Sequence, residues 1–367
     1  DATAVCVFQV CGFFCDQDFE RCDDMCCPTG CPPGQALYGG VCAKMHVQTA
    51  DEDGNVGEFA SIALTEGGLA LIASYASNGR DLLVSVQEPD ATWVSTRPDG
   101  PDDVGQHTSI ATDADGLANV AYYNANSKDL MLASQQFGGG WLVEPVDGEQ
   151  GDVGEFPALA FDAEGDAHVS YYDGGNKNLM YATRAVGGAW EVATVHEEDM
   201  GQYTSLALAP SGAPHISYYD ADGKNLMLAS KDPDGTWRTR TVASSGDVGK
   251  YSSLAFDAQG FAHISYYHEG NRDLIYASES VFGFWVFETV ESVPNVGKHT
   301  SLAFNAQGDA LISYYDESAR DLKLARRPST GGWSIDTIDS LGDVGKYSSL
   351  AIDALGQAHI AYYDQTN

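Results

Sequence analysis

The sequence predicts an all-β protein: a seven-bladed β-propeller with a small disulfide-rich segment at its N-terminus. Two observations lead to this prediction. A unit of about 48 residues recurs from residue 50 onward, and each complete unit contains four strand-like runs. All eight cysteines lie before residue 43. Four antiparallel strands at this period are typical of propeller blades.

The repeat is marked by a glycine and a tryptophan. The glycine follows Val or Met and recurs at Gly57, Gly105, Gly154, Gly201, Gly249, Gly297 and Gly345. All six tryptophans share one repeat position: Trp93, Trp141, Trp190, Trp237, Trp285 and Trp333. The step from glycine to the next tryptophan is always 36 residues. Length varies only between the tryptophan and the next glycine, so we expect one variable connection on a fixed module.

The unit that begins at residue 248 shows the four strands most clearly. The predicted runs are residues 253–256, 263–267, 273–277 and 285–290, with a turn over residues 257–260 between the first two. Gly260 ends this turn, at a position that favours a positive φ. Helical periodicity is absent from the unit, which excludes a helical repeat protein.

Seven repeats begin, but only six are complete. The starts lie near residues 56, 104, 153, 200, 248, 296 and 344. The seventh stops at Asn367 after two strands, which would leave an unpaired sheet edge. We expect residues 35–38 and 41–49 to supply its third and fourth strands. Closure within one molecule and head-to-tail exchange between molecules are both open, and the second would build a filament.

The cysteines predict a disulfide framework in residues 1–42, followed by the propeller in residues 43–367. They are Cys6, Cys11, Cys15, Cys22, Cys26, Cys27, Cys31 and Cys42. An even number at close spacing beside Pro and Gly is typical of small secreted segments stapled by disulfides. A zinc site is the alternative, but no Cys-x-x-Cys pair occurs. We therefore expect a secreted, extracellular or cell-surface location.

The charge excludes some partners. The formal net charge is −34, with 53 acidic and 19 basic residues. Nucleic acids and anionic membrane surfaces need Lys and Arg, so we expect neither as a partner. No apolar run approaches the length of a membrane helix, and we expect no membrane insertion. The start at Asp1-Ala2-Thr3-Ala4 resembles a mature N-terminus after signal cleavage.

The unit resembles the four-stranded repeats of secreted bacterial β-propellers, with NHL-type and Asp-box-type blades as the nearest patterns. The resemblance covers roughly residues 51–367 and rests on the Asp-Ala-x-Gly turn, the Ser-Tyr-Tyr-Asp strand and the Gly-x-Trp start of the last strand. It departs from the sialidase Asp-box, because Trp285 lies 25 residues beyond Gly260. Sialidase activity therefore does not carry over.

One aromatic position predicts a binding face. The first strand of a blade is innermost, so residues entering it surround the central channel. Those residues are Phe59, His107, Phe156, Tyr203, Tyr251, His299 and Tyr347. Aromatic rings in this arrangement suit stacking on sugars or holding a partner. Packing between loops and blades is the alternative interpretation.

Metal and catalytic sites find less support. Acidic residues recur on the same face, but no loop has the dense spacing of a calcium site, so we expect no cofactor and leave only calcium open. His168, His215, His263 and His359 share a position that also holds Leu, which favours packing over ligation. His196 and His268 differ from their repeat equivalents, but neither has a catalytic partner in the sequence. We expect no catalytic residues and no enzyme activity.

Three functions follow in order of preference. The first is a non-catalytic extracellular structural or adhesive protein, acting through contacts with itself or a cell-surface component. Regular repeats, covalent stapling and the open last blade favour it. The second is a glycan-binding propeller lectin, favoured by the aromatic ring. The third is a hydrolase or lyase that uses the central channel.

Overall fold

The computed structural model describes the backbone of residues 2–9, 21–22, 25–26, 35–38, 41–148 and 151–366, and side chains from residue 46 onward within those ranges. The eight cysteine side chains lie outside the described residues, so the disulfides stay a prediction. Within the described parts every regular element is a strand, and none is a helix able to cross a membrane.

The strands follow one another in a regular order. The N-terminal region contributes β1 (Ala2–Gln9), β2 (Arg21–Cys22), β3 (Met25–Cys26), β4 (Gln35–Tyr38) and β5 (Val41–Asp51). The repeats contribute β6 (Val56–Leu64), β7 (Ala70–Ala76), β8 (Asp81–Gln87), β9 (Trp93–Asp99), β10 (Val104–Thr112), β11 (Ala118–Asn124), β12 (Asp129–Gln135), β13 (Trp141–Asp147), β14 (Val153–Phe161), β15 (Ala167–Asp173), β16 (Asn178–Arg184), β17 (Glu191–His196), β18 (Met200–Leu208), β19 (Pro214–Asp220), β20 (Asn225–Lys231), β21 (Trp237–Ala243), β22 (Val248–Phe256), β23 (Ala262–His268), β24 (Asp273–Glu279), β25 (Trp285–Glu291), β26 (Val296–Phe304), β27 (Ala310–Asp316), β28 (Asp321–Arg327), β29 (Ser334–Asp339), β30 (Val344–Ile352) and β31 (Ala358–Asp364).

The predicted number of seven blades is wrong, because the structure has six four-stranded blades. Blades one to six are the antiparallel sheets β6–β9, β10–β13, β14–β17, β18–β21, β22–β25 and β26–β29. The last two strands, β30 and β31, belong to a sheet with a different number and order of strands. This closing sheet has five strands in the order β30-β31-β1-β5-β4.

The strand assignment at the closing sheet is also corrected. The expected third strand, residues 35–38, lies at the outer edge as β4, and β1 takes its place beside β31. The register within this one chain runs from Ala2 opposite Asp364 to Val7 opposite His359. The prediction failed because β1 lies at the start of the cysteine-rich segment, where we expected a disulfide framework and no strand of the sheet before residue 35. The domain boundary near residue 42 stays a prediction.

The core consists of seams between neighbouring sheets. The second strand of each blade is buried along almost its whole length, as in Ala167–Asp173. Both of its faces are covered because a neighbouring sheet packs on each side. The Tyr-Tyr pair of this strand belongs to the core, because the side chains of Tyr171 and Tyr172 are both buried.

The tryptophans join blades at the periphery. The Trp237 ring lies 5.0 Å from the ring of Tyr181 in the preceding blade, and Trp333 lies 5.1 Å from Tyr276 in the same way. Trp93 instead donates its indole N–H to the Oε1 atom of Gln48, at 3.1 Å. This placement explains why every tryptophan occupies one repeat position.

The repeated glycine sets the spacing of the blades. Gly249 has φ +106°, and a Cβ there would lie 2.8 Å from the Cα atom of Leu226 in the preceding blade. The same close approach recurs at Gly105, Gly154, Gly201, Gly297 and Gly345. The first strand of each blade can therefore lie against its neighbour only where no side chain intervenes.

A Gly249→Ala variant should be strongly destabilised. The added methyl group would clash with main chain and hold Ala at a strained φ, and we expect a loss of about 2–4 kcal/mol in the free energy of unfolding. Gly235→Ala is the matched control, since it also has positive φ (+86°) but nothing lies within 4 Å of its Cβ position. We expect that control to lose only about 1 kcal/mol. Urea unfolding measures both, and equal losses would contradict the packing argument.

Candidate functional site

The seven predicted aromatic side chains meet around the central axis. Each ring lies against the next, and the distances between ring centroids are 4.3 to 4.8 Å. The contact of Tyr347 with Phe59, at 4.7 Å, closes the circle. We call this set the aromatic ring: Phe59, His107, Phe156, Tyr203, Tyr251, His299 and Tyr347.

All seven members of the ring have a left-handed backbone. Their φ angles are between 52° and 55°. Bulky residues avoid this region, which costs about 1–2 kcal/mol per residue. In β22 the strand pairing shifts register on both sides of Lys250, so Tyr251 leaves the regular pleat and turns toward the axis. Mutual contact of the rings offsets part of this cost, at about 0.5–1.5 kcal/mol per pair.

An open cavity of about 190 Å³ lies at the ring. It is lined by the ring itself and by the next residue of each first strand: Ala60, Thr108, Pro157, Thr204, Ser252, Thr300 and Ser348. The hydroxyls among these residues tie adjacent blades together. The Thr108 hydroxyl donates to the carbonyl of Phe59 at 2.5 Å, and the Ser348 hydroxyl donates to the carbonyl of His299 at 2.6 Å.

The ring is uncharged near neutral pH. Burial lowers the pKa of His107 to about 4 and that of His299 to about 3, so both imidazoles are neutral. Burial also raises the pKa of Tyr347 to about 12, which keeps its hydroxyl protonated. In the described part of the chain, no hydrogen bond joins the imidazole nitrogens of His107 or His299 to another residue. These nitrogens are therefore free to bond a ligand.

A second circle of polar residues precedes the ring in sequence. We call it the girdle: Glu58, Gln106, Glu155, Gln202, Lys250, Lys298 and Lys346. Its three lysines are all ion-paired locally. Lys250 lies 3.2 Å from a carboxylate oxygen of Glu269, and Lys298 lies 2.8 Å from one of Glu317. Lys346 pairs with Asp343 at 3.0 Å. The lysines therefore leave no unpaired positive charge at the channel.

The acidic residues that precede five of the first strands clamp adjacent blades. The Tyr172 hydroxyl donates to the carboxylate of Asp199 at 2.8 Å, and the Tyr219 hydroxyl donates to Asp247 in the same way. In five of the six Tyr-Tyr pairs the first tyrosine bonds a residue of the opposite neighbour, as Tyr171 does in donating to Asp147. These contacts explain the recurring acids without calcium. No cluster of three metal-ligating side chains is found among the described residues.

The histidines that share a repeat position lie away from the ring. His263 bonds the Asp257 carboxylate at 3.1 Å and the Tyr276 hydroxyl at 2.6 Å, at the far end of its blade. His168 has the same two kinds of partner in Asp162 and Tyr181. The interpretation as packing residues is consistent with this geometry.

His196 and His268, which differ from their repeat equivalents, make the hydrogen bonds that a carboxylate makes at the same position in other blades. His196 holds the Tyr218 hydroxyl at 2.7 Å, where other blades use a carboxylate. Nδ1 of His268 accepts the Asn271 backbone N–H at 3.1 Å, a turn contact made elsewhere by Asp. Neither histidine faces the channel ring.

Sequence reasoning missed Lys323. The corresponding positions in earlier blades hold apolar residues, such as Met180 and Ile275. Lys323 is buried, and its ammonium lies 2.7 Å from Asp316 and 2.9 Å from Glu291. These partners hold the pKa of Lys323 above its ordinary value. Aligning the third strands alone would have revealed this single charge.

Sequence reasoning also missed an exposed apolar hairpin in blade five. Val281, Phe282 and Phe284 are 72%, 81% and 73% exposed. Val286 and Phe287 continue the exposed surface along β25. We call residues 281–287 the apolar hairpin. Its signal in the sequence is the Phe-Gly-Phe run where other blades have Pro-Asp or Gly-Gly.

The neutral histidines predict an acid-sensitive stability. Each is protonated near its ordinary pKa of 6.5 when unfolded but only near pH 3–4 when folded. The unfolded state therefore binds more protons in between, and stability falls as the pH drops from about 6.5. The double variant His107→Phe/His299→Phe, with the residue found at positions 59 and 156, should show a smaller loss between pH 7 and 4.5. Urea unfolding at both pH values tests this, and an unchanged loss would show that the two histidines do not cause it.

Comparison with known proteins shows the fold. No protein-family model matches the chain, and no curated protein matches it significantly. A protein of unknown function from Dyadobacter fermentans superposes with a TM-score of 0.54 at 12% identity, over 85% of this chain and 96% of that one.

Two further solved structures have named activities. The SapL1 lectin in complex with alpha methyl fucoside gives a TM-score of 0.53 at 16% identity, over 77% of this chain and 96% of the lectin. The polysaccharide lyase Uly1 gives 0.52 at 9% identity, over 92% and 94% of the two chains. NHL-type or Asp-box-type kinship of the blades stays a prediction. The likeness establishes that the chain is an all-β propeller with repeated four-stranded blades.

Proposed function

We propose that this protein is a non-catalytic extracellular glycan-binding protein that holds a sugar at the mouth of its central channel. The closed aromatic ring carries the proposal. Seven residues accept a strained backbone that Gly or Asn would adopt more easily, yet every one of them is Phe, His or Tyr. Strain kept at one position in every repeat favours a use for the side chains that face the cavity.

The chemistry of the ring suits a sugar. Aromatic faces stack on the apolar faces of sugar rings, and the free imidazole nitrogens of His107 and His299 offer hydrogen bonds to hydroxyls. The cavity is small and open, which favours a terminal sugar over a long buried chain. A sugar-bound lectin among the structures of the same fold gives a precedent for this use of the architecture.

Regularity supports binding rather than catalysis. Every member of the ring is Phe, His or Tyr, and neither ring histidine is hydrogen-bonded to a nucleophile or an acid within the part of the chain that the structure describes, whereas an active site needs a few residues joined in that way. The departures at His196, His268 and Lys323 all have structural partners. The cysteine-rich segment favours an extracellular or cell-surface location.

A Tyr251→Ala variant should lose glycan binding. The change removes one stacking face and opens the ring between Tyr203 and His299, so we expect affinity to fall at least about tenfold. Phe137→Ala is the control, because Phe137 is exposed in a loop at the opposite end of its blade. A glycan array identifies the ligand, and calorimetry measures the affinities. No binding on the array, or equal affinities of the two variants, would contradict the proposal.

A structural or adhesive role through protein contacts is the second candidate, and the apolar hairpin favours it. Exposed apolar patches of this kind are typical of interaction sites. The partner would be a second copy of this chain or a cell-surface protein. Because β31 is already paired by β1 of the same chain, the contact would use surfaces rather than strand exchange.

Sedimentation of the purified protein tests self-association. If the hairpin joins copies, the wild type should form dimers or larger species at micromolar concentration, and Phe282→Ser/Phe284→Ser should be monomeric. The control Leu355→Ser changes another exposed apolar side chain, in the turn that follows β30. A wild-type monomer at all concentrations would exclude self-association through this surface.

A further inference from the structure

The channel mouth is not uniform, because blades one and three depart from the others together. Each has Glu in the girdle, Phe in the ring and no hydroxyl at the following residue: Glu58-Phe59-Ala60 and Glu155-Phe156-Pro157. The other positions combine Gln or Lys with His or Tyr, and then Thr or Ser. The three differences, at the girdle, at the ring and at the residue that follows, occur together in blades one and three. These two blades lie on either side of the blade that carries His107.

The two girdle glutamates are unpaired carboxylates. No hydrogen bond or ion pair to Glu58 or Glu155 occurs in the described part of the chain, whereas all three girdle lysines are paired. Burial and the nearby Asp152 carboxylate raise the pKa of Glu155. Burial raises the pKa of the Tyr347 hydroxyl, a member of the ring, and the charge of Glu58 adds to this effect. Each glutamate directly precedes a ring phenylalanine in its strand, and Phe59 and Phe156 both contact the ring of His107, at 4.3 and 4.5 Å. Lys128, whose charge acts on Glu155, forms its ion pair with Asp152 instead, at 2.9 Å.

The missing hydroxyls leave further acceptors. At four other positions a Thr or Ser hydroxyl donates to the ring carbonyl of the preceding blade, as Thr204 does to Phe156 at 2.7 Å. Ala60 and Pro157 have no hydroxyl to donate to the carbonyls of Tyr347 and His107. Blades one and three thus combine a free carboxylate, a carbonyl without this donor and an uncharged phenyl ring.

These groups of blades one and three can accept hydrogen bonds and attract a positive charge. They carry no hydrogen-bond donor and no positive charge of their own. A carboxylate or sulfate on a ligand would find no donor there and would be repelled by the glutamates. A protonated amine would bond the carboxylates and carbonyls, and its charge would be attracted to the face of a phenyl ring. The net charge of −34 favours the same class of ligand.

We propose that the channel mouth selects glycans that carry a free, protonated amino group, such as glucosamine-type sugars, with the ammonium between Glu58 and Glu155. The inference rests on the proposed glycan-binding function and names the substrate class of that site. The aromatic ring binds the sugar, and the two carboxylates determine which sugars bind most tightly.

The test compares two sugars that differ only in whether their amino groups are free or acetylated, with a third, neutral sugar as a reference. Calorimetry would measure binding of a glucosamine tetramer and of its fully N-acetylated counterpart, with mannotetraose as a neutral reference. We expect the amine form to bind at least about tenfold more tightly than either, and to lose this advantage at a pH where its amine is neutral.

Variants locate the selectivity. Glu58→Gln/Glu155→Gln should lose the preference for the amine form while keeping the neutral sugar affinity. Glu164→Gln, an exposed residue in the turn at the opposite end of blade three, should change nothing. Thermal unfolding of each variant confirms that it is folded.

The failures of the two proposals are distinguishable. Equal binding of all three sugars would overturn the inference and leave glycan binding intact. An amine preference that survives the double substitution would place the selectivity elsewhere and also overturn it. Absence of binding to all three sugars and to every sugar on an array would overturn both proposals.

Discussion

The approach of the first strands at the central axis is the constraint on which the rest of the structure depends. Strands can converge there only because a glycine such as Gly249 brings main chain against the preceding blade, with a Cβ position 2.8 Å from Leu226 Cα. The next turn of the chain then forces one residue per strand into a left-handed backbone. The aromatic side chains at these positions contact one another around the axis, from Phe59 to Tyr347, and these contacts offset part of the strain energy.

A recurring set of carboxylates holds the blades together. In five of the six Tyr-Tyr strands one hydroxyl bonds the preceding blade and the other bonds the next, as Tyr171 and Tyr172 do with Asp147 and Asp199. A carboxylate that accepts a buried phenol keeps its charge without a cation, so the chain can be strongly acidic and still compact. Where a cation is buried, at Lys323, two carboxylates surround it.

The fold class, the four-stranded unit and the ring could be predicted because they repeat. Residues that recur at a fixed spacing occupy equivalent places in a repeated structure. The predicted position of Tyr251 in one unit therefore gave the positions of its six equivalents. The number of blades could not be predicted, because closure depends on β1, a single copy of Ala2–Gln9 whose pairing with β31 has no internal parallel. Lys323 and the apolar hairpin were missed for the same reason, since they occur once.

The division between repeated and single features also separates structure from specificity. Many residues that recur from blade to blade are engaged in the fold itself: Gly249 in spacing, Tyr172 in clamping and Trp237 in joining the outer strands. A ligand that read only these features would meet equivalent sites around the axis and have no preferred orientation. The free carboxylates of Glu58 and Glu155 break that equivalence on one side of the ring. Orientation of a bound ligand must therefore come from the blades that depart from the repeat.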